Sequence, residues 1–224
     1  MTLHMFKELD QGTDAWHDAR RGIVTASVVG KLLTPTLKVA DNDTSRALTA
    51  TLTAERITGF TEPTGMNADM NRGVWSEPFA RDLYSSHYHH AECVGFMVRS
   101  GDGWELGYSP DGLVGTDGLI EIKCPRAKTH LKTILADEVP LENMAQIQTG
   151  LLVSDRKWLD YVSYCGGMPL YVKRVLPDEK WRKAIIDAVD TFEENAEVMV
   201  ATYKNLTADS PATERIDHYE EMSI

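Results

Sequence analysis

The sequence predicts an α/β fold in which a central mixed β-sheet is flanked by helices. In the first third of the chain, apolar residues such as Leu48 and Leu52 recur at helical spacing. Between residues 93 and 123 the pattern changes to short extended runs separated by Gly and Asp turns. Helical and extended patterns then alternate again as far as Tyr203. This order of elements favours one sheet with helices packed against it.

The composition bounds the domain organisation. A chain of 224 residues, 42% apolar and 25% charged, is typical of a globular protein. We predict a single domain over residues 1–206 and an acidic, weakly ordered tail over residues 207–224. Because we find no long apolar run and no secretory signal, we expect a cytoplasmic protein with no membrane partner. Cys93, Cys124 and Cys165 are spaced too widely for a disulfide framework.

The net charge argues against a nucleic-acid partner. The chain has 23 Lys and Arg residues against 34 Asp and Glu residues, which gives −11 at pH 7. Phosphate binding normally needs the opposite sign. The objection weakens if some carboxylates hold cations and the basic residues gather on one surface, since local potential steers a ligand.

Helices are predicted in the first half from apolar spacing and from residues that begin or end a helix. They cover residues 14–21, 28–33, 45–59 and 73–86, with a loop over residues 60–71. Gly22 is expected to end the first helix in a left-handed conformation. A hydroxyl in the segment Thr25-Ala26-Ser27 is expected to cap the second helix, whose free N–H groups would favour an anion.

The second half begins with extended segments. Short strands are predicted over residues 93–98, 104–108, 112–114 and 119–123, as an antiparallel meander. Further elements follow in the order helix, helix, strand, strand, helix, over residues 131–135, 141–152, 158–164, 170–175 and 178–203. Large aromatic residues in these elements are expected in the core or at interfaces rather than stacked on bases.

One group of residues can carry chemistry. Asp111 lies at a turn where Gly112 permits an unusual backbone, and Glu121 and Lys123 point to the same face of a strand. Two carboxylates beside one ammonium suit a magnesium site for phosphodiester chemistry, in which Lys123 orients or deprotonates the attacking water. The alternative is an Asp-Gly turn followed by the solvated face of an amphipathic strand.

The pattern Pro-Asp, a gap, then Glu-x-Lys resembles the PD-(D/E)xK nuclease motif. The wider sequence resembles lambda exonuclease and the YqaJ-type viral recombinases over roughly residues 12–165. The five matching segments are Trp16-His17 through Arg20, Gly22 to Ser27, the helix with Glu77 and Arg81, Ser109 to Gly112 with Glu121 to Pro125, and Met144 to Gln148. This resemblance implies a restriction-endonuclease-like core.

The resemblance implies roles for residues around the motif. Asp111 and Glu121 would be metal ligands together with the backbone carbonyl of Ile122, and Lys123 would be the catalytic lysine. Glu77 would approach a second metal position. The alternative for Glu77 is a surface ion pair with Arg81, four residues further along the same helix.

Gln146 would also face this site, according to the same resemblance. Its alternative is a solvated amide, and Gln148 is expected to be a bystander because a helix turns the two residues to different sides.

The resemblance further assigns Arg20, Ser27 and Ser109 to a pocket for a terminal 5′-phosphate. A guanidinium and hydroxyls are suitable donors for that group. The alternatives are a surface arginine and, for Ser27, a plain helix cap. Met70 occupies the place of an apolar residue that wedges into the duplex end in related enzymes, although Asn71-Arg72 departs from the family's aromatic pattern.

The family implies a 5′→3′ exonuclease that digests one strand of linear double-stranded DNA and leaves 3′ overhangs for recombination. It implies Mg²⁺ as cofactor, with Mn²⁺ as a substitute, a homotrimeric ring, a single-strand annealing protein as partner, and a phage or prophage gene. The alternatives are a PD-(D/E)xK endonuclease and a catalytically silent DNA-end-binding module.

A zinc site is a further alternative, suggested by His87, His89, His90 and Cys93. Their spacing fits no closed tetrahedral pattern, so we expect a solvated helix end instead.

Overall fold

The computed structural model describes residues 1–63, 65 and 67–215. Helices α1 to α6 span Asp14–Arg20, Asp43–Thr58, Ala68–His87, Ala127–Ala136, Leu141–Ser154 and Glu179–Leu206. Strands β1 to β9 span Thr2–Phe6, Val24–Thr25, Ala91–Glu92, Phe96–Ser100, Glu105–Tyr108, Gly112–Val114, Gly118–Lys123, Trp158–Ser163 and Tyr171–Val175. A 3₁₀ turn covers Val29–Leu32.

The strands form two mixed sheets. A four-stranded sheet has the order β1-β4-β5-β2, and a five-stranded sheet has the order β3-β6-β7-β8-β9. β7 and β8 are parallel and are connected through α4 and α5, whereas β8 and β9 are antiparallel. The predicted α/β class, with mixed sheets, flanking helices and a restriction-endonuclease-like core, is confirmed.

The prediction of one continuous antiparallel meander was wrong. β4 pairs with β5 and β6 pairs with β7 in antiparallel fashion, but the two pairs belong to different sheets. The chain crosses between the sheets at Ser109-Pro110, where proline has no N–H to continue a strand ladder. This crossing brings Asp111 to the start of the second sheet.

Helix α5 lies between the two sheets. It packs against β4 and β5 of the four-stranded sheet, against β8 of the five-stranded sheet, and against α6. Its buried residues include Ile147, Leu151 and Val153, which join the main hydrophobic core. Gly150 provides space within that core, because a Cβ atom there would lie 2.7 Å from the Tyr108 ring. The position of α5 brings Gln146 close to β7.

Helix α3 is attached to the five-stranded sheet by a polar network in which Tyr84 and Asp160 are buried and Arg174 is exposed. The Tyr84 hydroxyl donates a hydrogen bond to Asp160 Oδ2 at 2.7 Å. Arg174 binds the same carboxylate through two N–H groups, at 2.8 and 2.9 Å, and its guanidinium covers the Trp158 ring. Because α3 also carries Glu77, this network fixes one side of the candidate site.

Two predicted elements begin differently from expectation. Helix α3 starts at Ala68 instead of residue 73, because the Asn67 side chain accepts hydrogen bonds from the backbone N–H groups of Asp69 and Met70. The predicted loop over residues 60–71 was therefore too long.

The predicted second helix is only the four-residue 3₁₀ turn, and no side chain caps it. Ser27 does not act as a cap, since its hydroxyl lies 3.0 Å from the Thr25 hydroxyl. Thr25 and Ala26 instead continue the pairing of β2 with β5. No α-helix begins here, so the expected anion site at a helix start does not form.

The residues after α6 form turns and irregular structure as far as Arg215, whose guanidinium lies 3.6 Å from the centroid of the Phe60 ring. The remaining tail residues, including Asp217, Glu220 and Glu221, lie outside the described residues. The division into one domain and a tail stays a prediction. Across the described ranges, each helix is too short or too polar to cross a bilayer.

Candidate active site

Lys123, at the end of β7, connects this strand to helix α5 at the centre of the site. Its Nζ donates hydrogen bonds to Glu121 Oε1 at 2.8 Å and to Gln146 Oε1 at 2.9 Å. Asp111 is tied to the same strand, because its Oδ2 accepts a hydrogen bond from the backbone N–H of Ile122 at 2.6 Å. Asp111, Glu121, Lys123 and Gln146, all predicted from the sequence, are therefore brought together. Gln148 faces elsewhere and binds Leu176 and Asp178.

Glu77 reaches the site from α3, and it also forms the predicted ion pair with Arg81. The pair is half-buried, and the Arg81 Nε donates a hydrogen bond to the backbone carbonyl of Asp111 at 2.7 Å. Burial raises the pKa of Glu77 against the effect of Arg81, and the charge of Glu121 adds to the rise. Arg81 therefore links Glu77 to the Asp111 turn, which a surface ion pair would not do.

The carboxylates crowd one another in a buried environment. Burial raises the pKa of Asp111 well above its ordinary value, and the nearby charges of Glu121 and Glu77 raise it further. Burial works against the charge of Lys123, but Glu121 and Asp111 outweigh it, so the pKa of Lys123 is above its ordinary value. Lys123 thus keeps its proton, but its single positive charge does not offset the burial and mutual repulsion that raise the pKa values of Asp111 and Glu77.

A divalent cation fits this imbalance. Glu121 is only 1% exposed, and its Oε2 is buried without a hydrogen-bond partner among the described residues. An unpaired buried carboxylate oxygen is costly unless a cation binds it. Asp111, Glu121 and the carbonyl of Ile122 are the groups that could hold such an ion, with Glu77 close by.

The described residues contain no ready-made cage of three or more His, Cys, Asp or Glu side chains. Here Asp111 is engaged by Ile122 N–H and Glu77 by Arg81. A magnesium ion needs no such cage, because it keeps several waters and takes only one or two protein carboxylates.

An open cleft of about 510 Å³ leads to this cluster. Glu77, Lys123 and Tyr161 are among its lining residues, and Met70 lines it from the first turn of α3. Met70 is 48% exposed, so its side chain is free to meet a ligand that enters the cleft.

A second group of predicted residues lies at the end of the four-stranded sheet. The Trp16 Nε1 donates a hydrogen bond to Ser109 Oγ at 3.0 Å, and the Arg20 guanidinium lies 3.7 Å from the centroid of the Trp16 ring. Burial lowers the pKa of Arg20 to about 10, which Glu55 partly opposes. Arg20 and Ser109 are therefore joined through Trp16.

Ser27 is exposed and has no described contact with Arg20 or Ser109. It is linked to this group only through Thr25, which pairs with Gly107 of β5, two residues before Ser109.

The histidines suggested as a zinc site contact different neighbours. His87 Nδ1 lies 3.0 Å from the carbonyl of Leu83 in its own helix. The His89 ring packs at a tilt on Trp158, with centroids 6.0 Å apart.

The sequence and the fold are also similar to those of known proteins. The sequence matches the model of the YqaJ-like viral recombinase domain over residues 15–157, which includes Arg20, Asp111, Glu121 and Gln146. The chain belongs to the YqaJ-like viral recombinase family. A comparison with curated proteins gives no match.

Solved structures resemble this YqaJ-like protein over most of its length. An alkaline exonuclease from Laribacter hongkongensis, LHK-Exo, is 33% identical, with a TM-score of 0.79, and the match covers 89% of this chain and 100% of that chain. A second structure of LHK-Exo, in complex with dAMP, gives the same values. A phage-related exonuclease from Haemophilus somnus 129PT is 12% identical, with a TM-score of 0.59 and coverage of 81% and 96%, and shares the fold.

Sequence reasoning missed three residues around the site. Trp16 joins Arg20 to Ser109, and its spacing of four residues from Arg20 on a helix was the available signal. Arg72 donates a hydrogen bond to the carbonyl of Cys124, directly after Lys123. Tyr108 is fully buried behind Glu121, and burial together with the charges of Glu121 and Asp111 raises the pKa of its hydroxyl.

Tyr108 and Tyr84 form a matched pair for a stability test. The Tyr108 hydroxyl is buried beside Glu121 but forms no hydrogen bond of normal geometry among the described residues, whereas the Tyr84 hydroxyl donates to Asp160. We expect Tyr84→Phe to lower the free energy of unfolding by about 1.5–3 kcal/mol, because a hydrogen bond to a charged group is lost. Tyr108→Phe should change it by less than about 1 kcal/mol.

Urea denaturation in EDTA measures both changes. A loss for Tyr108→Phe as large as that for Tyr84→Phe would mean that the Tyr108 hydroxyl has a partner.

Proposed function

We propose that this protein is a metal-dependent DNA exonuclease that degrades one strand of linear double-stranded DNA in the 5′→3′ direction, leaving a 3′ overhang. The observation that carries the proposal is the convergence of Asp111, Glu121 and Lys123 beside an open cleft that Lys123 lines, with one buried Glu121 oxygen unpaired. The similarity to the LHK-Exo alkaline exonuclease supports the same class of reaction.

In the proposed mechanism, Asp111, Glu121 and the Ile122 carbonyl would hold Mg²⁺, or Mn²⁺ in its place. When bound, the ion would supply Lewis-acid polarisation of the scissile phosphate and would lower the pKa of a water. Lys123 keeps its proton, orients the attacking water and offsets negative charge on the phosphate as it reacts. Gln146 holds the Lys123 ammonium in place at 2.9 Å. Glu77 would approach a second ion position from α3.

The Arg20 group would set the direction in which the strand is degraded. Arg20, Ser109 and Ser27 would bind the 5′-phosphate of the strand to be degraded. The half-buried guanidinium of Arg20 has the fork geometry that suits phosphate, and Trp16, which hydrogen-bonds to Ser109, packs against it. Met70, which lines the cleft, would separate the two strands of the duplex end.

We also propose a homotrimeric ring that encircles DNA, and a single-strand annealing protein as partner of a phage or prophage gene product. The exposed apolar surface of α3 supports self-association: Trp75 is 73% exposed and Phe79 lies on the same helix, also exposed. Sedimentation as a monomer at working concentrations would count against the ring.

One assay tests activity, polarity and end dependence together. Purified protein with Mg²⁺ is incubated with a duplex labelled at either the 5′ or the 3′ end, and with the same DNA as a covalently closed circle. We expect loss of the linear duplex from its 5′ ends and survival of the circle. Cleavage of the circle would identify an endonuclease, and intact DNA in every lane would identify a silent end-binding module.

Arg20→Gln is expected to remove the preference for a 5′-phosphate. A bidentate contact to a charged phosphate contributes on the order of 10-fold to 100-fold in discrimination, so rates on phosphorylated and hydroxyl ends should become similar. The measurement is the ratio of initial rates on the two substrates.

Arg21→Gln is the matched control, because Arg21 is the next residue and its guanidinium is already paired with Asp18. If the wild-type ratio persists in Arg20→Gln, Arg20 does not bind the end.

A further inference from the structure

Two guanidinium groups converge on one carboxylate oxygen at the mouth of the cleft. The Arg126 Nε donates a hydrogen bond to Asp69 Oδ1 at 2.8 Å, and the Arg72 Nη2 approaches the same oxygen at 3.4 Å. Both Asp69 and Arg72 line the cleft that leads to Lys123. An oxygen held by two guanidiniums is the environment that arginine pairs provide for phosphate.

Arg72 stays in place independently of Asp69. Its Nη1 donates hydrogen bonds to the backbone carbonyls of Cys124 at 2.5 Å and Pro125 at 3.3 Å, directly after Lys123. Arg126 follows Pro125, so both guanidiniums are attached to the strand end that carries Lys123. The position of the Arg72 guanidinium is therefore set by the fold and not by Asp69, and the backbone of Arg126 lies within its reach.

Asp69, in contrast, is easily displaced. The Asp69 side chain is 53% exposed and that of Arg126 is 73% exposed. Ion pairs at this level of exposure contribute little to stability, because water and salt screen them. The hydrogen bonds that fix the first turn of α3 involve the backbone of Asp69 and the Asn67 side chain, so the Asp69 carboxylate can rotate away without unwinding the helix.

We propose that Arg72 and Arg126 bind a backbone phosphate of the DNA strand held in the cleft, and that Asp69 occupies this phosphate site in the DNA-free protein. The inference rests on the proposed nuclease function. Asp69 then competes with the DNA phosphate for this site, and the salt concentration changes how strongly it competes. The arginine pair also explains how a chain with a net charge of −11 can present a basic site beside its carboxylate cluster.

The test is equilibrium binding of a fluorescent duplex with a single-stranded 5′ extension, in EDTA so that no cleavage occurs. Asp69→Asn should tighten binding about threefold to tenfold, because the competing charge is lost. Arg126→Gln should weaken binding by a similar factor and lower the slope of log Kd against log salt by about one. In the Asp69→Asn/Arg126→Gln double variant the gain from Asp69→Asn should largely disappear.

Asp117→Asn and Lys157→Gln are charge-matched controls. This exposed pair lies at the opposite end of β7 and β8 from Lys123, so the two variants change net charge equally without touching the cleft. Equal tightening by Asp117→Asn and Asp69→Asn would overturn the proposal, since net charge alone would then explain the effect. An unchanged salt slope for Arg126→Gln would also overturn it.

Two further results separate the possible explanations. The phosphate could instead belong to a released mononucleotide. If 5′-dAMP displaces labelled DNA much better from Asp69→Asn than from wild type, the site binds free nucleotide and the strand assignment is wrong.

The nuclease function is tested separately by cleavage of linear duplex with Mg²⁺. If wild type cleaves but the cleft variants bind DNA as wild type does, only the phosphate site is lost. A wild type that neither binds nor cleaves would remove both.

Discussion

Lys123→Met is expected to reduce the rate of DNA hydrolysis by about 10³-fold, within the range of roughly 10²-fold to 10⁴-fold for a positioned proton-transfer or charge-stabilising group. Methionine keeps the length and apolar part of the side chain but removes the ammonium that binds Glu121 and Gln146. Because the charge acts on the reacting phosphate, the loss should appear in kcat far more than in KM. Single-turnover cleavage of a labelled linear duplex measures it.

Lys157→Met is the matched control for this variant. Lys157 is exposed, pairs with Asp117, and lies at the far end of the strands that carry the site. Its activity should equal that of the wild type, and circular dichroism should show that both variants are folded. Turnover by Lys123→Met within a few-fold of wild type would remove the proposed mechanism.

Asp111→Asn is expected to abolish the stabilisation that Mg²⁺ confers, and activity with it. At a free Mg²⁺ concentration 100 times the dissociation constant, the wild type should gain about 2.7 kcal/mol in free energy of unfolding, and the variant should gain almost none. Asparagine can still accept the hydrogen bond from Ile122 N–H, so the turn is retained.

The same variant should be more stable than wild type without metal. The folded-state pKa of Asp111 is raised, so at any pH above the ordinary pKa of an aspartate the metal-free protein must either protonate this buried carboxyl or hold it charged, and both oppose folding. As pH rises from that value towards the folded-state pKa, the metal-free wild type loses stability, and asparagine does not titrate. Thermal unfolding at pH 8, with EDTA or with Mg²⁺, measures both effects.

Asp117→Asn is the control, because it removes an exposed carboxylate that lies against Lys157. It should respond to Mg²⁺ as the wild type does. An Asp111→Asn protein that still gains 2–3 kcal/mol from Mg²⁺, by the same linkage estimate, would show that the ion binds elsewhere.

The extent to which the sequence predicts the fold follows from how local each signal is. Helix α5 and strands β7 and β8 are close to their predicted bounds, because their apolar patterns are long or strongly periodic. Strand β1 was missed, since five residues at the sheet edge carry little pattern and pair with β4, which lies far along the chain. The separation of the strands into two sheets was missed because pairing partners are set by tertiary packing, not by local periodicity.

The site residues also differ in how local their sequence signals are. Asp111, Glu121 and Lys123 form a motif in one short segment, so their proximity follows from strand geometry. The positions of Glu77 and Gln146 required the family resemblance, because they lie on other elements. Arg72 had no signal, since its contact with Cys124 joins residues 52 positions apart. Ser27 was assigned to a helix cap that does not form, because the pairing of Thr25 with Gly107 holds its neighbours in an extended strand.

The crossing at Ser109-Pro110-Asp111 has one more consequence. Ser109 belongs to the Arg20 group and Asp111 to the carboxylate cluster, and consecutive Cα atoms are 3.8 Å apart, so the Cα atoms of these two residues are separated by at most about 7 Å. The proline ring restricts rotation between them, and Gln11 braces the Pro110 carbonyl at 3.3 Å. A ligand that contacts both groups must therefore span a short distance, which this rigid segment of polypeptide fixes.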